Sequence, residues 1–200
     1  VDSVNRSNVQ TGEGKILPIE TTLLRVVVGF RVVSACWLTA LAVITVATEP
    51  AAIDRSTRSA IVISAIAVAI VWTVVTVVFA YRRPETLANP VFLVIDLVLA
   101  AWVGATPGLV KSGVFFAGGY PISSPFLIAT TRGIITTIAP AMIISASSAV
   151  GVLTAGARAA EVIAINLISP LVVAWGFGTI RRQDSRRRQA EEALADEQTK

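Results

Sequence analysis

Apolar residues run through this chain in long blocks separated by short polar stretches. The first block extends over about Leu23 to Ala47 and the second over about Ser59 to Tyr81, with Thr48-Glu49-Pro50 and Asp54-Arg55-Ser56-Thr57-Arg58 between them. Arg82-Arg83-Pro84-Glu85 closes the second block, proline being unable to continue a helix there. A third block runs from Pro90, well placed in a first helical turn, to Ala105. The stretch Thr106 to Ser123 contains Pro107, Gly108, Gly113, Gly118, Gly119 and Pro121 with Lys111, and reads as an irregular loop or short interfacial helix. Ser124 to Gly151 is too long for one span and carries Arg132-Gly133 inside it. It divides into a short helix to about Thr131, a tight turn, and a helix from about Ile134 to Val152. The last block, about Ala159 to Ile180, passes without a break after Gly178 into Arg181-Arg182-Gln183-Asp184-Ser185-Arg186-Arg187-Arg188 and then into an acidic stretch around Glu191 and Glu192.

These blocks are near or within the roughly 17–25 residues that cross a bilayer as a helix. Composition agrees: 54% of residues are hydrophobic and 15% charged, against about 25% charged in a soluble domain. The predicted fold is all-α, a polytopic transmembrane bundle of six spans, the fourth a half-span tolerated only if other helices cover it. Residues 1–22 read as a disordered cytoplasmic tail, 23–180 as the transmembrane domain and 181–200 as a cytoplasmic linker helix. The polar start is not a signal peptide.

Basic residues set the orientation. Arg82 and Arg83 flank one loop, five arginines follow the last span, and Arg6, Lys15 and Arg25 precede or open the first. Both termini are therefore expected in the cytoplasm of a bacterial cell, which requires an even number of spans; Arg132 then falls inside, with Lys111 and Arg158 outside. Arg55 and Arg58 lie outside, balanced by Glu49 and Asp54. The bilayer is the first partner; no nucleic-acid partner is expected.

Two charges interrupt the apolar blocks. Arg31 is six residues beyond Arg25, and Asp96 six beyond Pro90 in a span of the same direction. Each is roughly 9 Å deeper than its edge at the helical rise per residue. Matched depth and opposite sign suggest a buried ion pair between spans one and three; the alternative is that Arg31 snorkels to headgroups while Asp96 meets water or protonates. Asp96 as an ion or proton site lacks a second acid. Glu161 suits the start of the last helix, and Pro170 is placed to kink it. Trp102 and Trp175 suit interfacial belts, whereas Trp37 and Trp72 read as packing residues. Ser145, Ser147, Ser148 and Gly151 form a small-residue surface for helix contact.

Catalytic candidates are absent. With no histidine and one cysteine, Cys36, the sequence has neither the commonest general base nor an intrachain disulfide, and no metal site is expected. In the charged tail, Ile180, Ala190 and Leu194 fall on a heptad seam with Arg187 and Glu197, a weak coiled coil by itself but a reasonable beginning for a dimeric linker.

Leu24-Arg25 with Phe30-Arg31-Val32, Trp72-Thr73-Val74-Val75-Thr76 running to Tyr81-Arg82-Arg83-Pro84, Asp96-Leu97, and the basic-then-acidic exit helix resemble the N-terminal membrane region of actinobacterial MacS-like sensor histidine kinases, over most of Leu23 to Glu197. The resemblance implies a homodimeric input module of a two-component system that relays a membrane or envelope stimulus to a kinase core, and through it to a response regulator. The kinase core is absent from these residues, so the chain is expected to be a fragment or a protein that has lost its kinase. Pro170, Arg181, Arg182 and Leu194 are the expected relay residues. No cofactor is expected; were haem the ligand, Tyr81, Tyr120, Met142 or Cys36 would have to ligate it, and Tyr120 is the one expected to be accessible. The competing expectations are a small permease or substrate-binding membrane component, and a structural membrane protein.

Overall fold

A computed structural model describes residues 18–48, 54–112, 114–153 and 159–198. Among them there are six α-helices and no strand: α1 (Pro18–Thr48), α2 (Arg55–Arg82), α3 (Pro90–Leu109), α4 (Ser123–Arg132), α5 (Ile134–Leu153) and α6 (Ala159–Gln198), with a 3-10 turn at Pro84–Ala88. The protein is an all-α bundle, and five of its helices are long and apolar enough to cross a membrane. Helix α4, with 10 residues, is about 15 Å long and cannot. The residues expected to form a tail before Pro18, and Glu49, Pro50, Gly113 and Arg158, lie outside the described residues. Helix α1 starts at Pro18, five residues ahead of the expected edge of the first span.

Caps explain several boundaries. The Asp54 carboxylate accepts hydrogen bonds from the backbone N–H groups of Ser56 and Thr57 and opens α2. The Asn89 side chain accepts from Val91 N–H, with Pro90 in the first turn of α3. Gly133 separates α4 from α5 with φ of 88°, which a residue without Cβ adopts at no steric cost.

The helix ends fall into two groups. At one, which we call the basic end, the Arg25 guanidinium lies 5.3 Å from the Tyr81 ring centroid, and Arg132 Nη2 donates to the carbonyl of Ala88 at 2.7 Å. The start of α1, the end of α2 and the end of α4 therefore meet there. At the other, Arg58 Nη2 donates to the carbonyl of Thr45 at 3.2 Å, tying the start of α2 to the last turn of α1.

Three apolar clusters stack between these ends. Leu24, Val28, Leu87, Phe92, Leu127 and Ile128 pack at the basic end; Leu38, Ala65, Ala69, Val103, Ala117 and Tyr120 in the middle; Ala42, Val62, Val110 and Phe116 beyond them. Val110, Phe116, Ala117, Tyr120, Leu127 and Ile128 thus descend through all three layers in chain order. The segment expected to be an outer loop is a corridor of irregular backbone through the bundle, and α4 completes the crossing. Apolar hydrocarbon cannot satisfy bare peptide groups, so such backbone persists only under cover of other helices. Phe116, Ala117 and Tyr120 are fully buried. Gly118, with φ of 55°, lies against Trp37: a Cβ there would stand 3.0 Å from Trp37 Cδ1.

Helix α3 also runs farther than expected, through Pro107 to Leu109. Its Gly104 and Gly108 meet the small-residue surface of α5. A Cβ on Gly108 would stand 2.2 Å from the Val150 carbonyl oxygen, and one on Gly151 2.7 Å from that of Gly104. The backbones of α3 and α5 touch because neither helix places a side chain between them.

Helix α6 packs on α5 and α4 and returns to the basic end, where Phe177 joins the first cluster. It then continues without interruption through Ile180 and the arginines to Gln198. Its 40 residues make a rod about 60 Å long, so its last turns project beyond the bundle.

Candidate functional site

The deepest polar groups of α1, α2, α3 and the corridor converge on one point. Arg31 Nη1 is 2.5 Å from Asp96 Oδ1, and the two side chains are 1% and 0% exposed. Trp72 Nε1 donates to the same carboxylate oxygen at 2.6 Å. Arg31 Nη2 donates to the Tyr120 hydroxyl at 3.3 Å, and the guanidinium carbon is 5.1 Å from the Tyr120 ring centroid. The Tyr120 hydroxyl in turn donates to the backbone carbonyl of Ala69 at 3.3 Å. Trp72 is held from behind by Phe92, stacked at 5.0 Å, which Phe79 meets edge-on.

Burial of one charge here would be expensive; contact with an opposite charge removes much of that cost. Arg31 Nε and Asp96 Oδ2 remain buried without a hydrogen-bond partner. Helix α1 packs on α2 and α4, and α3 on α2, α4 and α5; α1 and α3 barely meet. The pair therefore bridges a gap between α1 and α3 and does not lock two packed helices together. Tyr120 occupies the space beside that bridge. The junction holds one carboxylate and no second acid or nucleophile. What it can do is fix the position of the corridor relative to three helices.

Tyr120 is thus buried, contrary to its expected accessibility. The chain enters the bundle because Gly118 and Gly119 let it lie against Trp37, Phe30 and Ser34, and the hydroxyl is taken up by Arg31 and Ala69. Trp72 both packs and donates. Cys36, Tyr81 and Met142 lie on the surface. No group of three or more His, Cys, Asp or Glu side chains able to hold a metal occurs among the described residues.

Arg58, expected in an exposed loop, is 4% exposed. The last four carbonyls of a helix have no partner within it, and Thr45 is in the last turn of α1, so Arg58 closes that end. The Asp54 side chain accepts from Ser56 and Thr57.

The expected relay residues lie apart from the junction, on α6. Pro170 is buried inside a helix that continues through it. Arg181 is half-buried, Arg182 Nε donates to the carbonyl of Gly178 at 3.2 Å, and Leu194 is exposed. Helix α4 links the two regions. It directly follows the corridor that carries Tyr120, and it packs on α1 on one side and on α6 on the other.

Compared with protein-family models, with curated proteins and with solved structures, the chain matches none.

Proposed function

We propose that this chain is the membrane-embedded input module of a sensor of the two-component histidine kinase type. A stimulus in the bilayer alters the packing around Arg31, Asp96 and Tyr120, α4 follows the corridor, and α6 carries the displacement out of the membrane. One observation supports this most directly: α4, the short helix that ends the corridor, is in contact with both α1 and α6, while α6 runs as one helix from lipid into a charged rod. A helix that is continuous across the boundary transmits rotation and translation; a loop there would absorb both.

The resemblance of the span-one, span-two and exit-helix motifs to MacS-like sensors points the same way and adds a homodimer, a kinase core and a response regulator as partners. Arg25, Arg82, Arg83, Arg132, Arg181 and Arg182 gather toward the basic end, which the distribution of basic residues in membrane proteins makes cytoplasmic. The membrane is then a bacterial inner membrane, with both termini inside.

The test is a fusion of a histidine kinase core in helical register after Lys200. Regulated autophosphorylation is the expected result, and insertion of one, two or three residues after Gln189 should change the output in a phase-dependent way, because each residue turns a helix by about 100°. Output indifferent to all three insertions would refute a rigid relay.

A further inference from the structure

Helices α1 and α2 leave a groove of about 530 Å³ on the lipid-facing side of the bundle, with Val32, Cys36 and Thr39 on one wall and Ile70 and Val74 on the other. The surface it offers is apolar: the Thr39 hydroxyl is taken up by the Ala35 carbonyl at 2.8 Å, and Thr73, the other threonine of the wall, is buried. Each residue turns a helix by about 100°. Arg25 therefore shares a face of α1 with Val32 and Thr39, and Tyr81 shares a face of α2 with Ile70 and Val74. Followed toward the basic end, the groove leads to the contact in which the Arg25 guanidinium lies 5.3 Å from the Tyr81 ring centroid. Both residues are exposed there. Gly29, between Arg25 and Val32, has nothing within 4 Å of its Cβ position, so the way from the groove to that contact is open.

A guanidinium over an aromatic ring still has N–H donors for an anion, and its fork fits phosphate. Among the described residues no carboxylate pairs with Arg25, Arg82 or Arg83, so no ion pair neutralises this corner. Depth agrees with a lipid. Arg25 to Thr39 measures about 21 Å along α1, and half a bilayer with its headgroups is about 20–22 Å thick. A phospholipid whose phosphate meets Arg25 thus ends its chain where the groove ends. We propose that the α1–α2 groove, with Arg25 and Tyr81 at its mouth, binds one anionic phospholipid of the cytoplasmic leaflet, an acyl chain in the groove and the phosphate on Arg25. An apolar groove alone accepts any chain; the arginines at its mouth favour a headgroup of net negative charge over a zwitterionic one. The bound chain lies against Val32, next to Arg31, and against Val74, two residues from Trp72, so occupancy bears on both helices that hold Asp96 in the polar junction. The inference deepens the input-module reading by naming anionic lipid as the class of stimulus. Binding is measurable without any kinase output, so the two fail separately.

The experiment uses the full chain in phosphatidylcholine vesicles with two probes that carry a diazirine in an acyl chain, a phosphatidylglycerol and a phosphatidylcholine. Saturable labelling of residues 29–40 and 70–78 by the phosphatidylglycerol probe, mapped by mass spectrometry and competed by unlabelled phosphatidylglycerol, is the expected result; the phosphatidylcholine probe should not saturate. Arg25→Gln should raise the half-saturating mole fraction of phosphatidylglycerol about tenfold, the worth of one charged hydrogen bond, and Arg25→Lys, which keeps the charge, should raise it less. Arg132→Gln removes one charge from the same end but not from the groove, and should leave the value unchanged. Cys36→Phe, which fills the groove, should abolish saturable labelling while the helical circular dichroism is kept. Equal labelling by the two probes means that the groove holds bulk lipid and overturns the proposal. So does an Arg25→Gln effect no larger than that of Arg132→Gln, which would reveal a diffuse field in place of a site, and so does unchanged labelling of Cys36→Phe.

Discussion

The Tyr120 hydroxyl bridges Arg31 and Ala69, accepting from the guanidinium at 3.3 Å and donating to the carbonyl at 3.3 Å. It thereby fastens the irregular corridor to α1 and α2 at the level of the ion pair. Tyr120→Phe keeps the ring over Arg31 and removes only the bridge. The expected cost is about 1–2 kcal/mol, a hydrogen bond with a charged donor partly offset by the rest of the site. Part of the loss should be returned by Thr73, whose hydroxyl is buried without a partner and lies one helical turn after the Ala69 carbonyl that Tyr120 vacates. The substitutions Tyr120→Phe and Thr73→Val should therefore be non-additive, the double variant losing more than the sum of the singles. Thermal unfolding of all four forms in one detergent decides this; strict additivity would mean that Thr73 does not compensate.

Arg31 and Asp96 should show the asymmetry of a buried pair. Arg31→Met leaves Asp96 charged in hydrocarbon, and Asp96→Leu leaves Arg31 so; each should cost about 3–5 kcal/mol. The double variant should recover most of that loss, though not all, because Trp72 Nε1 loses its acceptor. Asp96→Asn retains an oxygen for Trp72 and should fall between. Unfolding midpoints for the three substitutions and the double variant test this; a double variant as unstable as the worse single would show that the pair itself, not its desolvation, holds the junction.

The meeting of Arg31 and Asp96 was legible in the sequence because the rise of a helix is fixed, so counting from a span edge puts the two at one level. The place of Tyr120 was not, since it depends on the path of a segment with no period. Gly118, Gly119 and Pro121 mark turns, and turns in membrane proteins are ordinarily interfacial; nothing local says that a turn-rich segment is covered by other helices. One signal was available: Val114-Phe115-Phe116-Ala117, an uncharged apolar run too hydrophobic for a water-facing loop. Arg58 was misread for a similar reason. Arg58 falls in a polar stretch between two apolar blocks, whereas the unsatisfied carbonyls at the end of α1, a tertiary neighbour, draw the guanidinium inward. The continuity of α6 was legible because Arg181 to Gln198 contains no Gly or Pro.

Helix contact between α3 and α5 should be intolerant of a single methyl group. Gly108→Ala would place Cβ 2.2 Å from a backbone oxygen, and backbone cannot step aside as a side chain can, so the helices must separate. A loss of about 1–3 kcal/mol is expected, as for overpacked cores. Gly29→Ala is the control: nothing lies within 4 Å of its Cβ position, and the change should be neutral or stabilise by about 0.5–1 kcal/mol through helix propensity. Unfolding of the two variants, compared with the parent, separates close approach from propensity.

Stability should depend on Asp54 in acid. Hydrogen bonds from the Ser56 side chain and the Thr57 N–H hold its carboxyl below the usual aspartate range. Because the folded value is depressed, the stabilisation is present above the unfolded value of about 3.9 and disappears as pH falls through the lower folded one. Asp54→Asn keeps a capping oxygen without the titration. The unfolding midpoint of the parent relative to this variant should be constant from about pH 7 to pH 5 and decline toward pH 3; a flat difference would show that the cap does not depend on charge.

Asn166 and Pro170 together weaken α6 at one level inside the bundle. Pro170 has no N–H, so the carbonyl of Asn166, four residues before it, loses its helical donor. The Asn166 amide Nδ2 is also buried without a partner, in a side chain 2% exposed. Two unpaired polar groups on one turn make a local soft point in an otherwise continuous rod. Asn166→Leu removes the orphan amide and should stabilise the bundle by about 1–3 kcal/mol; Pro170→Ala restores the donor and should stiffen the turn. In the kinase fusion, both variants should narrow the difference in output between stimulated and unstimulated membranes, because a relay that bends less near the polar groups couples the junction to the exit helix differently. Amide exchange across residues 164–172, slowed in Pro170→Ala, gives the mechanical effect independently of signalling. A destabilised Asn166→Leu protein would instead show that the amide finds a partner in the membrane, and that the soft point is a site of contact.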